Sequence, residues 1–391
     1  MSKTKIAFFI NFLRIGGIEK ALLNLVKKLP KDKFDITIYV GIKDGGYLEE
    51  MSKFANIKQI PNFEEKLAYD FRGTAKKYIK KFEFIKLAKF ILQKIKIKSQ
   101  KIKTNFLTLS LKNLDDEYDV AVAYQVPISA ITLYVAEKVK ANKKILWSHC
   151  DIASVGKQEL YDYIKYMKKF DYIVSVSEDT NQHMKDIVPT IADKCIYLDN
   201  VIDEDAIKGL SNIDICDMNK KNEEVSILTV ARLADGKGYD LAIDVTEKLI
   251  SNGHKIKWFA IGEGEERKKL EQKIEEKKLK NYFILLGERK NPYPYFKKCD
   301  IYVQPSTYEG VCIARLEAKI LNKPIITTNT GGTDKYFKNK VNAIITEYNV
   351  EEIYNAIIFL MEEKNRDILI QNSKESKLEQ KEEFYKILER K

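Results

Sequence analysis

Four stretches of this chain carry charged residues or glycines at spacings that could do chemistry. In Val230-Ala231-Arg232-Leu233-Ala234-Asp235-Gly236-Lys237-Gly238 an arginine is followed five residues later by a lysine in a glycine-flanked loop. Arginine offers a planar fork to phosphate oxygens and lysine a point charge, so the pair suits one pyrophosphate. In Pro305-Ser306-Thr307-Tyr308-Glu309-Gly310-Val311-Cys312-Ile313-Ala314-Arg315-Leu316-Glu317 two glutamates stand eight positions apart. If Glu309 starts a helix, Glu317 lies about two turns along the same face. One carboxylate can then meet hydroxyls of a sugar, and the other, deeper, the diol of a ribose. The remaining two stretches are glycine turns. Asn11-Phe12-Leu13-Arg14-Ile15-Gly16-Gly17-Ile18-Glu19 runs into a helical pattern, and Thr328-Asn329-Thr330-Gly331-Gly332-Thr333-Asp334 precedes another. Glycines at a helix start let the backbone approach an anion such as phosphate. Gly262-Glu263-Gly264-Glu265 is a weaker turn of this kind, with Gly262 placed to line a nucleotide pocket.

Such groups need a scaffold that presents them together. Strand-like apolar runs alternate with helical patterns from end to end, which predicts parallel sheets wrapped by helices. In the first half the strands are read at 6–12, 36–40, 120–123, 144–147, 172–176 and 195–198. In the second half they fall at 227–230, 257–261, 283–286, 301–304, 325–328 and 343–346. The polar, acidic 203–224 reads as a linker and hinge. The predicted organisation is therefore a first Rossmann-like domain over 1–202, a second over 225–365, and a terminal helix over 366–391 that returns to the first domain. Two doubly wound halves facing each other place a cleft outside the carboxyl ends of both sheets. Each of the four stretches follows a predicted strand.

Bulk composition narrows the function classes. At 391 residues the chain exceeds one ordinary core. Its five cysteines are scattered singly and its three histidines form no HxxxH pair, which disfavours a zinc site, a redox motif or a disulfide framework. That usage suits a reducing cytoplasm. No apolar run reaches the roughly 20 residues a bilayer requires, and the apolar start reads as a first buried strand rather than a signal peptide. The net charge of +11 is concentrated: Lys76 to Lys103 holds eleven lysines and one acid, Glu83. A solvated helical face, an anionic membrane surface, an anionic acceptor or nucleic acid would each account for it. The aromatics there show no regular interleaving and no recognition module is evident, so specific nucleic-acid binding is not expected.

RLADGKG, then PSTYEG with its two spaced glutamates, then KPIITTNTGG, together resemble the retaining GT-B glycosyltransferases of family 4. The N-terminal glycine turn matches as well. The resemblance implies an α/β GT-B fold and transfer of a hexose or N-acetylhexosamine from a nucleotide sugar, UDP-linked, to a hydroxyl acceptor. It implies surface polysaccharide or glycoconjugate synthesis, with a lipid-linked acceptor and peripheral contact with an anionic membrane from the cytoplasmic side. Arg232 and Lys237 would hold the donor pyrophosphate, Glu309 the transferred sugar and Glu317 the ribose. Backbone around Gly310, Val311, Cys312 and Ile313 would lie near sugar and phosphate, and Gly16 and Gly17 would close over the phosphates. His149, leaving a strand in Trp147-Ser148-His149-Cys150-Asp151, matches the family histidine that touches the sugar. Val311 and Cys312 replace the Phe and small residue usual after Glu-Gly, which bears on donor sugar identity. Asp151 has no family counterpart. Asp203-Glu204-Asp205 spells the Asp-x-Asp of metal-dependent transferases of another fold, but reads as a hinge and helix start. No cofactor and no catalytic metal are expected, since Arg232 and Lys237 supply the positive charge. The rival reading is a non-catalytic GT-B subunit binding a partner enzyme or anionic polymer through 76–103; the joint presence of both glutamates, Arg232 and Lys237 disfavours it.

Overall fold

The computed structural model describes residues 2–61, 63, 111–221, 223–375 and 384–389. The lysine stretch 76–103 lies outside them. Two compact units emerge. One comprises Met1–Arg14, Ile18–Asn200 and Lys381–Lys391, the other Ile15–Gly17 and Val201–Gln380.

Seven parallel strands build the first sheet: β1 (Thr4–Ile10), β2 (Phe34–Val40), β3 (Asn56–Gln59), β4 (Glu117–Gln125), β5 (Lys140–Ser148), β6 (Tyr172–Ser175) and β7 (Cys195–Tyr197). Their spatial order is β3-β2-β1-β4-β5-β6-β7. The central strands are apolar on both faces because helices cover both, as in Ile6, Ala7, Phe8, Phe9 and Ile10, all fully buried. The second sheet holds β8 (Val225–Val230), β9 (Ile256–Ile261), β10 (Phe283–Gly287), β11 (Ile301–Gln304), β12 (Ile325–Thr328) and β13 (Ile344–Thr346), all parallel, in the order β10-β9-β8-β11-β12-β13. Both orders reverse direction once, between β1 and β4 in the first sheet and between β8 and β11 in the second. A parallel sheet opens a crevice at such a switch, outside the carboxyl ends of the two strands that flank it. Two Rossmann-like units of this topology constitute the GT-B fold.

Three features differ from the sequence reading. β3 was not anticipated: Asn-Ile-Lys-Gln is polar and only partly buried, the signature of an edge strand rather than a core one. The 203–224 segment is not a free linker. It forms the helix Glu204–Leu210, and Ile202, Ile207 and Met218 are buried in a core cluster of the second unit with Phe296 and Tyr302. Most of 366–391 also stays with the second unit, where Leu369 of the helix Glu363–Glu375 packs on the core that holds Leu360. Only the end of the chain joins the first unit. There Leu388 is fully buried, and buried Lys143 donates to the carbonyls of Ile387 (3.0 Å) and Glu389 (2.7 Å), satisfying helix-end acceptors.

Candidate active site

In the second unit the loops leaving β8 and β11 meet at the switch point. The β8 loop is pinned from below: Leu233 is fully buried, and the buried Tyr239 hydroxyl donates to the Ala231 carbonyl at 2.7 Å. Gly238 has φ +77°, and a Cβ there would come within 1.8 Å of the Pro305 carbonyl oxygen, so only glycine lets the two loops touch. The Thr307 amide completes the contact by donating to the Gly236 carbonyl at 2.9 Å. These constraints bring Lys237 to Glu309. Nζ lies 2.8 Å from Oε1, with side chains only 19% and 12% exposed. The Ser306 hydroxyl donates to the same Oε1 at 2.8 Å. Half-exposed Tyr308 presents its ring 5.9 Å from the Lys237 ammonium. Arg232 is exposed on the same loop, and its guanidinium has no partner among the described residues.

Glu309 and Gly310 lead into the helix Ile313–Ile320, whose N-cap, Cys312, makes no side-chain cap. The first-turn amides around Val311, Cys312 and Ile313 are thus not satisfied by a capping side chain, and they carry the partial positive charge of a helix start. Burial pushes the Cys312 thiol up to about 11, with Glu309 adding to the rise, so this cysteine is a neutral neighbour and no nucleophile. Glu317 is 3% exposed on that helix and accepts from the Tyr293 hydroxyl at 3.2 Å. The helix starts four residues after Glu309, so Glu309 sits on the loop before it and Glu317 about one turn inside it, rather than two turns along a shared helical face.

Arg315, to which the sequence assigned nothing, is fully buried between them and organises the second glycine turn. Its guanidinium donates to the Thr327 hydroxyl (3.1 Å), the Thr333 hydroxyl (2.5 Å) and the Gly331 carbonyl (3.0 Å). Held this way, Gly331 presses on the Glu309 loop so closely that a Cβ would meet the Glu309 carbonyl oxygen at 2.4 Å. This turn supports the site by contact with Glu309. Gly262 has a similar structural account: a Cβ there would come within 1.9 Å of the Ala231 carbonyl oxygen, so it packs beneath the Arg232 loop. Asp203 is the N-cap of the helix Glu204–Leu210 and accepts from the Ala206 amide at 3.1 Å.

The remaining candidates are the N-terminal glycines, which group with the second unit, and His149, which belongs to the first. Gly16 precedes the helix Gly17–Lys28, which begins at Gly17; neither is among the positive-φ glycines of the described residues, so the pair contributes a lack of side chain rather than an unusual backbone. Glu19 in the first turn is buried, and its charge raises the pKa of the Tyr124 phenol beyond the larger effect of burial. His149 follows β5, its ring 4.3 Å from that of Tyr124, with Nε2 sealed from solvent and unpartnered among the described residues. Asp151, without an assigned role in the sequence, accepts from the Ala153 amide (2.9 Å) and from His183 Nδ1 (2.9 Å), tying the His149 loop to the helix Glu178–Ile187.

Comparison with known proteins bears on the family and the fold. Residues 214–376, most of the second unit, match the family model of glycosyl transferases group 1. A glycosyltransferase of Methanocaldococcus jannaschii is 28% identical over 52% of this chain and 52% of its own length. The poly(ribitol-phosphate) alpha-N-acetylglucosaminyltransferase of Staphylococcus aureus is 27% identical over 56% of this chain and 44% of its own. The chain thus spans about half the length of these relatives. The crystal structure of Anabaena HepE in complex with UDP and glucose superposes with a TM-score of 0.68 at 15% identity, covering 95% of this chain and 94% of that one, which shows the shared fold. The likeness to solved structures shows the GT-B architecture. The segment that the family model matches is the one holding Arg232, Lys237, Glu309 and Glu317.

Burial pushes the His149 imidazole down to about 3, so it is neutral at ordinary pH. The unfolded chain takes its proton near 6.5. His149 therefore stabilises the fold above about pH 6.5, and that contribution is lost as pH falls toward 3. Thermal unfolding of His149→Gln should decline less steeply than wild type between about pH 6.5 and 4. Equal slopes would show a solvated, ordinary histidine.

Proposed function

We propose that the protein is a retaining glycosyltransferase that moves a hexose or N-acetylhexosamine from UDP to a hydroxyl acceptor in surface polysaccharide or glycoconjugate synthesis. The observation that carries this reading is the Lys237–Glu309 pair at the β8–β11 switch point, flanked by exposed Arg232 and by the helix start at Ile313. Cations and amides converge where a diphosphate would sit, and the carboxylate faces the hydroxyl-rich group attached to it. In the reaction the bond between the anomeric carbon and the β-phosphate oxygen breaks, and its electron pair passes to the phosphate. The acceptor oxygen bonds the anomeric carbon from the same face, and its proton goes to the departing phosphate. Arg232, Lys237 and the helix amides stabilise the charge that develops on the leaving group. Glu317 binds the ribose diol, and neutral His149 offers a hydrogen bond to the sugar.

The names of the relatives support the choice of sugar and polymer, and the HepE complex supports UDP. None of the five cysteines is in a disulfide, which suits the cytoplasmic side of a membrane. No described helix is long and apolar enough to cross one. The lysines of 76–103 would hold the enzyme at anionic lipid and near a lipid-linked acceptor.

Arg232→Ala and Lys237→Ala should each lower kcat/KM by at least about tenfold with the fold intact, since a charge-assisted contact is worth roughly 1.5–3 kcal/mol. The lysine change should be the larger, because it also orphans Glu309. A panel of nucleotide sugars, with transfer or slow hydrolysis as the readout, identifies the donor; near-normal turnover by either variant would refute the assignment. Because side chains do the neutralising, activity should survive EDTA. Loss with EDTA and restoration by manganese or magnesium would reopen Asp203 and Asp205.

A further inference from the structure

β11 carries an unusual expense of polarity. Tyr302, Gln304 and Ser306 alternate along one face of the strand and its extension, and all are at most 1% exposed. An apolar residue would serve a buried strand as well, and each buried polar group costs stability unless it is satisfied. Here each is satisfied by the next. The Tyr302 hydroxyl donates to Gln304 Oε1. Gln304 Nε2 donates to Ser306 Oγ at 2.8 Å, and Ser306 Oγ donates to Glu309 Oε1 at 2.8 Å. Every donor in this chain points toward the carboxylate. The carboxylate end sets the direction, since a carboxylate only accepts, and burial keeps the Tyr302 phenol protonated and able to donate. The backbone is held too: the Thr328 hydroxyl donates to the Ser306 carbonyl, and that of Thr327 to the Gln304 carbonyl at 3.3 Å.

The consequence falls on the two oxygens of Glu309. Oε1 is taken by Ser306 and Lys237 together, while Oε2 accepts no hydrogen bond among the described residues. We propose that Tyr302, Gln304 and Ser306 form a directional relay that fixes the Glu309 carboxylate with Oε1 turned to the protein and Oε2 turned to the ligand, making Gln304 a positioning residue remote from the substrate. The relay rests on the reading of Glu309 as the sugar-binding carboxylate. It acts on the transferred group, makes no contact with Arg232, and touches the nucleotide contacts only through Lys237, which shares Oε1 with Ser306.

The test uses the full chain with Gln304→Met, close in volume, unable to donate and at most a weak acceptor, and Tyr302→Phe as a second break in the same chain. Gln304→Met should lower kcat about tenfold while UDP affinity by calorimetry stays within about twofold, since a hydrogen bond to a charged group is at stake. Tyr302→Phe should lower kcat in the same direction by a smaller factor. In a Glu309→Gln background, adding Gln304→Met should change kcat by less than about twofold, because residues acting through one group are not additive. Unchanged kcat in Gln304→Met, or equal losses in both backgrounds, would overturn the relay and leave a polar core. If wild type neither bound UDP nor turned over any nucleotide sugar, the proposed function would fail by itself. The relay would then be decided by crystal structures: Glu309 released from Ser306 in Gln304→Met supports it, and an unmoved Glu309 overturns it.

Discussion

A carboxylate and an ammonium that meet where little water reaches them constrain everything around them. Removing either leaves a charge that the surroundings cannot solvate, so the Lys237–Glu309 pair must be held in register by both loops at once. Those loops issue from neighbouring strands, β8 and β11, which adjoin only because the strand order reverses between them. Gly238 against Pro305, and the Thr307 amide against Gly236, are then the contacts that let the loops close. The pair is thus a product of sheet topology, and the sheet's buried apolar strands are what stabilise it.

Around this pair the second unit arranges polar groups in two tiers. Above lie Arg232, Lys237, Tyr308 and the helix start at Ile313, on the loops that leave β8 and β11. Beneath lie groups that never need to touch a ligand: the Tyr302–Gln304–Ser306 chain under Glu309, and Arg315 bracing the Gly331 turn against it. Buried polar networks of this kind are costly when incomplete and rigidifying when satisfied. The rigidity is the use: a carboxylate with a fixed orientation can discriminate among hydroxyls, while a mobile one cannot.

What the sequence disclosed follows from which signals are local. Apolar runs such as Ile6–Ile10 and Ile325–Thr328 declared their strands, and the glycine and charge patterns placed Arg232, Lys237 and Glu309 after strands. The meeting of Lys237 with Glu309 was not legible, because 72 residues separate them and only the β8–β11 adjacency brings them together. Gln304 and Arg315 passed as strand and helix filler, since a buried polar residue looks like an exposed one until its partners are known. The 203–224 segment misled for the opposite reason: its Asn, Asp and Lys residues mask two apolar anchors, Ile207 and Met218, which join Ile202 in the core. β3 was hidden because an edge strand needs no apolar run.

The central claim is that the β8–β11 crevice is where the nucleotide sugar binds. A crystal structure of the protein with UDP tests it most directly. The account requires the diphosphate within hydrogen-bond reach of Arg232, Lys237 and the amides at Cys312 and Ile313, and the ribose diol on Glu317. UDP bound elsewhere in the chain, with these groups untouched, would contradict it.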